Sequence, residues 1–184
     1  MLANKEQQKV PNVTFTLRTN DEWTTRSSDE IFNNTPTCSS SHLPRYNELA
    51  PTLFENGVDE IICMSVNDTF VMNAWAQAQD ADNISFIPDG NGEFTDAMGM
   101  LVDKADIGFG KRSWRYAMLV KNGIIEKMFI EPDVAGDPFE VSDADTMLNH
   151  INPSACQTSA IMVFSKPTCP YCKKAKALLT EKGL

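Results

Sequence analysis

Cys169-Pro170-Tyr171-Cys172 stands between an apolar run, Ala160 to Phe164, and an amphipathic run, Ala175 to Leu179. That order reads as strand, loop and helix, with both thiols where the helix begins. Two thiols at this spacing can close a small disulfide ring. The first, Cys169, lies nearer the free N–H groups and positive end of the helix, which lower a thiol pKa and favour the thiolate. The other use of such a pair is half of a zinc site. The chain has no second C-x-x-C, and His42 and His150 stand apart, so that use lacks ligands. Cys169 and Cys172 therefore read as a redox dithiol.

A second thiol sits in a different setting. Thr35-Pro36-Thr37-Cys38 precedes a segment in which Leu43, Tyr46, Leu49, Ala50, Leu53 and Phe54 recur at helical spacing, ended by Gly57. The helix is predicted to open near Ser39, with Cys38 in its first turn, where N–H groups stabilise a thiolate. Thr35 places a hydroxyl three residues before that sulfur. Pro44 and Pro51 predict kinks or a broken helix. A cysteine activated this way suits attack on a small electrophile such as a peroxide. On the residues alone, a reactive thiol and an ordinary cysteine at a capped helix fit equally.

The elements that must position these thiols alternate between strand and helix. Val13 to Leu17 alternates apolar and polar residues, Asn20-Asp21 turns, and Trp23 to Thr25 returns as its partner. Ser27 to Glu30 has capping-box spacing for a short helix through Phe32. Asp59 to Val66 reads as a buried strand with Cys63 as an inert core thiol. Asn67-Asp68-Thr69 caps a helix over Phe70 to Gln79, Ile84 to Ile87 is a strand, and a short helix lies near Thr95 to Met100. Tyr116 to Val120 and Ile124 to Ile130 form a hairpin about Asn122-Gly123. Ser142 is expected to cap a last helix, Asp143 to Ile151, with Asp145 at the capping-box position. Asn152 to Ser159, which includes Cys156, is polar and short, as a linker is. The class is α/β, layered.

At 184 residues, with 42% hydrophobic and 9% aromatic content, the chain can hold one packed domain and a piece of another. A formal net charge of −9 disfavours nucleic acid and anionic membranes as partners. No apolar run approaches the ~20 residues that span a bilayer. Met1 to Gln8 has no apolar core, so no signal peptide is expected. Five cysteines, with one C-x-x-C, fit a reducing compartment, and the cytoplasm is the expected location.

The tetrapeptide and its strand resemble the start of a glutaredoxin over about the last 30 residues. A complete glutaredoxin continues into strands with a cis-proline and a glycine pair that hold glutathione, and these are not expected before Leu184. Thr35 to Pro44 resembles the peroxidatic loop of a type-five peroxiredoxin. Ser65 to Met72, Pro88 to Gly92 and Gly108 to Tyr116 match the same family in the same order. Together the two resemblances are to the hybrid peroxiredoxin–glutaredoxin family. They imply a thioredoxin-like fold over 3–152, a linker over 153–159 and a glutaredoxin fragment over 160–184.

The resemblance implies roles. Cys38 would be the peroxidatic thiolate, oxidised to a sulfenic acid. Thr35 would orient the peroxide, and Arg115 would stabilise the thiolate and the oxygens during displacement. Glutathione would be the electron-donating co-substrate, with no bound cofactor and no metal. The glutaredoxin domain would act in cis or in trans through Cys169, supported by Cys172. The substrates would be hydrogen peroxide and small organic hydroperoxides, and the chain would form homo-oligomers. His42, one turn after Cys38, reads as a helix-packing residue.

The chain also departs from that family. Ile31 stands where the active-site proline, seven before the cysteine, belongs. About a dozen residues, one strand and its turn, are expected to be absent between the Ser27 helix and Cys38. Losing a central strand would split the sheet and leave unpaired backbone on both neighbours. The competing classes are a non-catalytic remnant of the fold and a dithiol–disulfide reductase that uses only Cys169 and Cys172.

Overall fold

Strand β1 (Thr14–Thr19) pairs antiparallel with β2 (Glu22–Ser27). Asn20 and Asp21 between them take φ of 50° and 66°, which tight hairpin turns require and these two residue types tolerate. The expected capping box closes both ways: Ser27 N–H donates to Glu30 Oε2 at 2.7 Å, and Glu30 N–H donates to Ser27 Oγ at 3.2 Å. It starts α1 (Ser28–Phe32), which buries Ile31 and Phe32. The computed structural model describes residues 2–32, 37–39 (backbone alone), 43–134, 136 and 138–155.

Helix α2 (Leu43–Glu55) runs unbroken, against the expectation of a proline break. Pro44 lies in the first turn, where its missing N–H would have had no helical partner. Pro51 turns to solvent, and the carbonyl of Asn47 that it leaves free accepts from Asn83 Nδ2 at 3.5 Å. A proline in a helix interior costs about 3 kcal/mol. Leu43, Tyr46 and Leu53 are fully buried, and such side chains contribute roughly 1.5–3 kcal/mol each, so packing outweighs the proline.

A five-stranded sheet follows the order β5-β4-β3-β8-β9, with β3 (Thr37–Ser39), β4 (Glu60–Ser65) and β5 (Ser85–Pro88) parallel and β8 (Tyr116–Lys121) and β9 (Ile124–Ile130) antiparallel. Successive residues of a strand face opposite ways. Ile61, Cys63, Ala117 and Leu119 accordingly pack with α2 and with α5 (Ala144–Ile151), while Ile62, Met118 and Val120 pack with Phe15, Phe32 and Phe94 on the other face. Both faces are covered, which is why β4 and β8 read as near-continuous apolar runs. Helix α3 (Thr69–Ala78) is capped by Asp68, whose carboxylate accepts from the N–H groups of Phe70 and Val71, both at 2.9 Å.

Three further expectations change. The sheet is not split: Thr37, Cys38 and Ser39 occupy its centre between β4 and β8. Cys38 is therefore not in the first turn of α2, which begins at Leu43, but opposite Ile61 and Leu119 in the ladder. At α5 the cap is Asp143, which accepts from Thr146 N–H at 2.9 Å, while Ser142 donates to a buried carboxylate instead. A short hairpin, β6 (Leu101–Lys104) with β7 (Gly110–Ser113), was not foreseen, because its four-residue strands carry little alternation.

Candidate active site

The carboxyl ends of β4 and β5 and the amino end of β8 lie at the same end of the sheet, where open α/β folds bind ligands. Two of the sequence motifs meet there at Ser65. Its carbonyl accepts from Asn67 N–H at 2.8 Å and Asp89 N–H at 2.9 Å, and its hydroxyl meets Asn67 Nδ2 at 2.9 Å. Asp89 is buried and ties down the first turn of α4 (Glu93–Ala97), accepting from Thr95 N–H at 2.8 Å and Thr95 Oγ1 at 2.7 Å. Burial, and then the nearby Asp89 carboxylate, push the Tyr116 phenol well above its ordinary pKa, so it stays protonated.

Arg115, just before β8, lies on the wall of a cleft of about 440 Å³ with Ser65, Trp75, Lys104, Arg112 and Trp114. Its Nη1 donates to the Pro138 carbonyl at 3.4 Å, and its guanidinium stands 6.0 Å from the centre of the Phe139 ring. The backbone beneath it is fixed by Glu131. Glu131 N–H donates to the Arg115 carbonyl at 3.1 Å, and the Glu131 carbonyl accepts from Trp114 Nε1 at 2.9 Å.

The Glu131 carboxylate is buried and accepts four hydrogen bonds, from the N–H groups of Glu140, Val141 and Ser142 and from Ser142 Oγ, at 2.7–3.0 Å. Burial pushes its pKa up, but these donors outweigh burial and hold it below the usual carboxylate range. Sequence reasoning missed this residue. Its only signal is an acid placed directly after an apolar strand and before Pro132.

Cys63 also lines the cleft but is buried, and burial pushes its thiol to about 12. It stays a protonated core thiol, as expected. Cys38 is not brought to Arg115. Its Cα is paired with Leu119, four residues along β8, so the two backbones are about 13 Å apart in the strand direction. Thr35, His42, Cys156, Cys169 and Cys172 lie outside the described residues. Among the described residues no group of three or more His, Cys, Asp or Glu side chains gathers as metal ligands.

Fold and cleft define a thioredoxin-like α/β protein. Residues 5–148 match the Redoxin family model and residues 161–184 match the Glutaredoxin model. The chain is 59% identical to "Hybrid peroxiredoxin hyPrx5" of Haemophilus influenzae, over 100% of this chain and 81% of that protein. It is 48% identical to "Peroxiredoxin sll1621" of Synechocystis, over 78% and 89% of the two chains. The solved structure of reduced Prx3 from Vibrio vulnificus in complex with H2O2 superposes with a TM-score of 0.73 at 36% identity, covering 82% of this chain and 99% of that one.

The chain belongs to the peroxiredoxin family, in the hybrid form that carries a glutaredoxin segment. Its activity class is thiol peroxidase. The alignment with the Haemophilus protein spans 195 positions against a chain of 184, so about eleven positions of that relative have no counterpart here.

Proposed function

We propose that this chain reduces hydrogen peroxide and small organic hydroperoxides through Cys38, with electrons from glutathione. The observation that carries the reading is identity to a hybrid peroxiredoxin along the whole chain, with the Cys38, Arg115 and C-P-Y-C motifs all present. The Cys38 thiolate attacks one peroxide oxygen. An S–O bond forms, the O–O bond breaks, and water or an alcohol leaves after taking up a proton. Arg115 balances the negative charge that develops on the oxygens, and Thr35 orients the peroxide. Glutathione then condenses with the sulfenic acid, releasing water, and Cys169 removes the glutathionyl group with Cys172 in support. The glutaredoxin dithiol serves in cis or in trans.

In this reading Thr37–Ser39 leaves its place in the sheet before Cys38 and Arg115 act together. A second reading is favoured by the pairing of Cys38 with Ile61 and Leu119. A chain held in that pairing keeps the fold without turnover, and only the C-P-Y-C dithiol remains available. Cytoplasmic location and homo-oligomers complete the proposal. No helix among the described residues is long and apolar enough to cross a membrane.

The test is multiple turnover of hydrogen peroxide with glutathione and glutathione reductase, in the parent and in Cys169→Ser. Turnover lost in the variant and restored by a separate intact glutaredoxin supports the electron route. Turnover unchanged in the variant rejects it.

A further inference from the structure

We propose that the cleft beside Arg115 takes organic hydroperoxides that carry a carboxylate, with Lys104 and Arg112 receiving the carboxylate and the aromatic wall receiving the carbon chain. This rests on the peroxidase reading and narrows its substrate class.

Size comes first. A cavity of about 440 Å³ falls within the range of small-organic-ligand pockets and far exceeds what hydrogen peroxide fills. Charge comes second. The described lining residues include Lys104, Arg112 and Arg115 and no carboxylate, in a chain with a formal net charge of −9. Lys9, Arg18, Arg45 and Lys127 each hold an acidic partner, but neither Lys104 nor Arg112 has one among the described residues. The Lys104 ammonium stands 5.0 Å from the centre of the Trp114 ring, and Arg112 Nη1 donates only to the Lys111 carbonyl at 2.8 Å. Both keep donors for a bound anion.

Apolar surface comes third. Ile107 and Phe109, between β6 and β7, line the same cleft at 59% and 58% exposure, and Trp75 supplies further ring surface beside the mostly buried Trp114. Paired cations beside uncovered rings match an amphipathic anion better than a neutral peroxide. The field of a cleft lined by one sign of charge also concentrates such an anion from solution.

The experiment follows tryptophan fluorescence of the full chain, since two of its three tryptophans line the cleft. Octanoate and octanol are titrated separately. Octanoate is expected to bind about tenfold more tightly at low salt, as two partly buried cations allow. That preference should fade as salt rises from about 0.01 M to about 1 M and the screening length falls from about 30 Å to about 3 Å. Lys104→Gln with Arg112→Gln should bring octanoate to the octanol level, while Lys104→Arg with Arg112→Lys retains the preference. In single turnover, an unsaturated fatty-acid hydroperoxide should outpace its methyl ester in the parent and lose that lead in the double Gln variant. Equal affinity for octanoate and octanol, or a preference that survives the double Gln change, overturns the proposal. If the parent consumes no hydrogen peroxide, the peroxidase reading fails and the binding titration still decides this inference.

Discussion

Cys38 is paired with Leu119 at the centre of the sheet, about 13 Å along the strand direction from Arg115, which stands four residues before Leu119. The pairing is parallel to Ile61 on one side and antiparallel to Leu119 on the other, so the strand is locked into the ladder from both edges. The peptide that carries Cys38, proposed above as the reactive cysteine, has closed the gap that would otherwise split the sheet. Unpaired backbone inside a sheet is costly, and a three-residue strand is enough to satisfy it here.

Hydrogen exchange tests this placement. Amides of Thr37–Ser39 are expected to exchange as slowly as those of β4, and to speed up when peroxide is added and Cys38 reacts. Rapid exchange in the resting protein would show that the strand does not hold the centre of the sheet.

Glu131 fixes the ground beneath Arg115. In Glu131→Gln one oxygen becomes an NH2 group facing N–H donors, so at least one of the four hydrogen bonds is replaced by a donor–donor contact. A loss of about 2–3 kcal/mol in unfolding free energy is expected, the usual cost of an unsatisfied buried group bonded to a charge. Urea denaturation measures it. A loss below about 0.5 kcal/mol, the range of ordinary surface substitutions, would remove Glu131 from this role.

Acid stability follows from the same carboxylate and from Asp145. Hydrogen bonding to Arg45 Nε and Nη2, at 2.9 and 2.7 Å, holds Asp145 below its ordinary pKa. Both folded-state values are depressed, so the stabilisation is fully present above the unfolded values, about 4 for these acids, and is lost as pH falls through the folded ones. Unfolding free energy should therefore decline with acid below about pH 4, and less steeply in Glu131→Gln. A parent protein whose stability stays flat down to pH 2 would contradict the assignment.

Cys63, with its thiol pushed to about 12, should resist iodoacetamide at pH 8 in the folded protein and react once urea unfolds it. Labelling of Cys63 in the native state, read by peptide mass, would mean that the cleft opens to it.

Much of this was legible in the residues. The β8–β9 hairpin, the Ser27–Glu30 box, the Asp68 cap and the buried face of α2 follow from local periodicity and side-chain chemistry, and each is where the pattern puts it except Phe54 of α2, which is exposed. Two features that bear on the site were not. The position of Cys38 depends on a long-range demand, the central vacancy in the sheet, which no local pattern around Thr37 encodes. The bonds made by Glu131 join residues nine to eleven apart through a loop with no regular period, so a lone acid after Ile130 gave no sign of them. Of the proposed site residues, Arg115 was found through its motif and does line the cleft, Cys38 lies in the sheet instead, and Thr35, Cys169 and Cys172 fall outside the described residues.

The most direct test of the peroxidase assignment is stopped-flow mixing of the fully reduced chain with one equivalent of hydrogen peroxide, without any reductant. The expected result is consumption of one equivalent per chain with formation of a sulfenic acid on Cys38, retained in Cys63→Ser and in Cys169→Ser with Cys172→Ser, and abolished in Cys38→Ser. Peroxide left unconsumed by folded parent protein, or consumed equally well by Cys38→Ser, would contradict it.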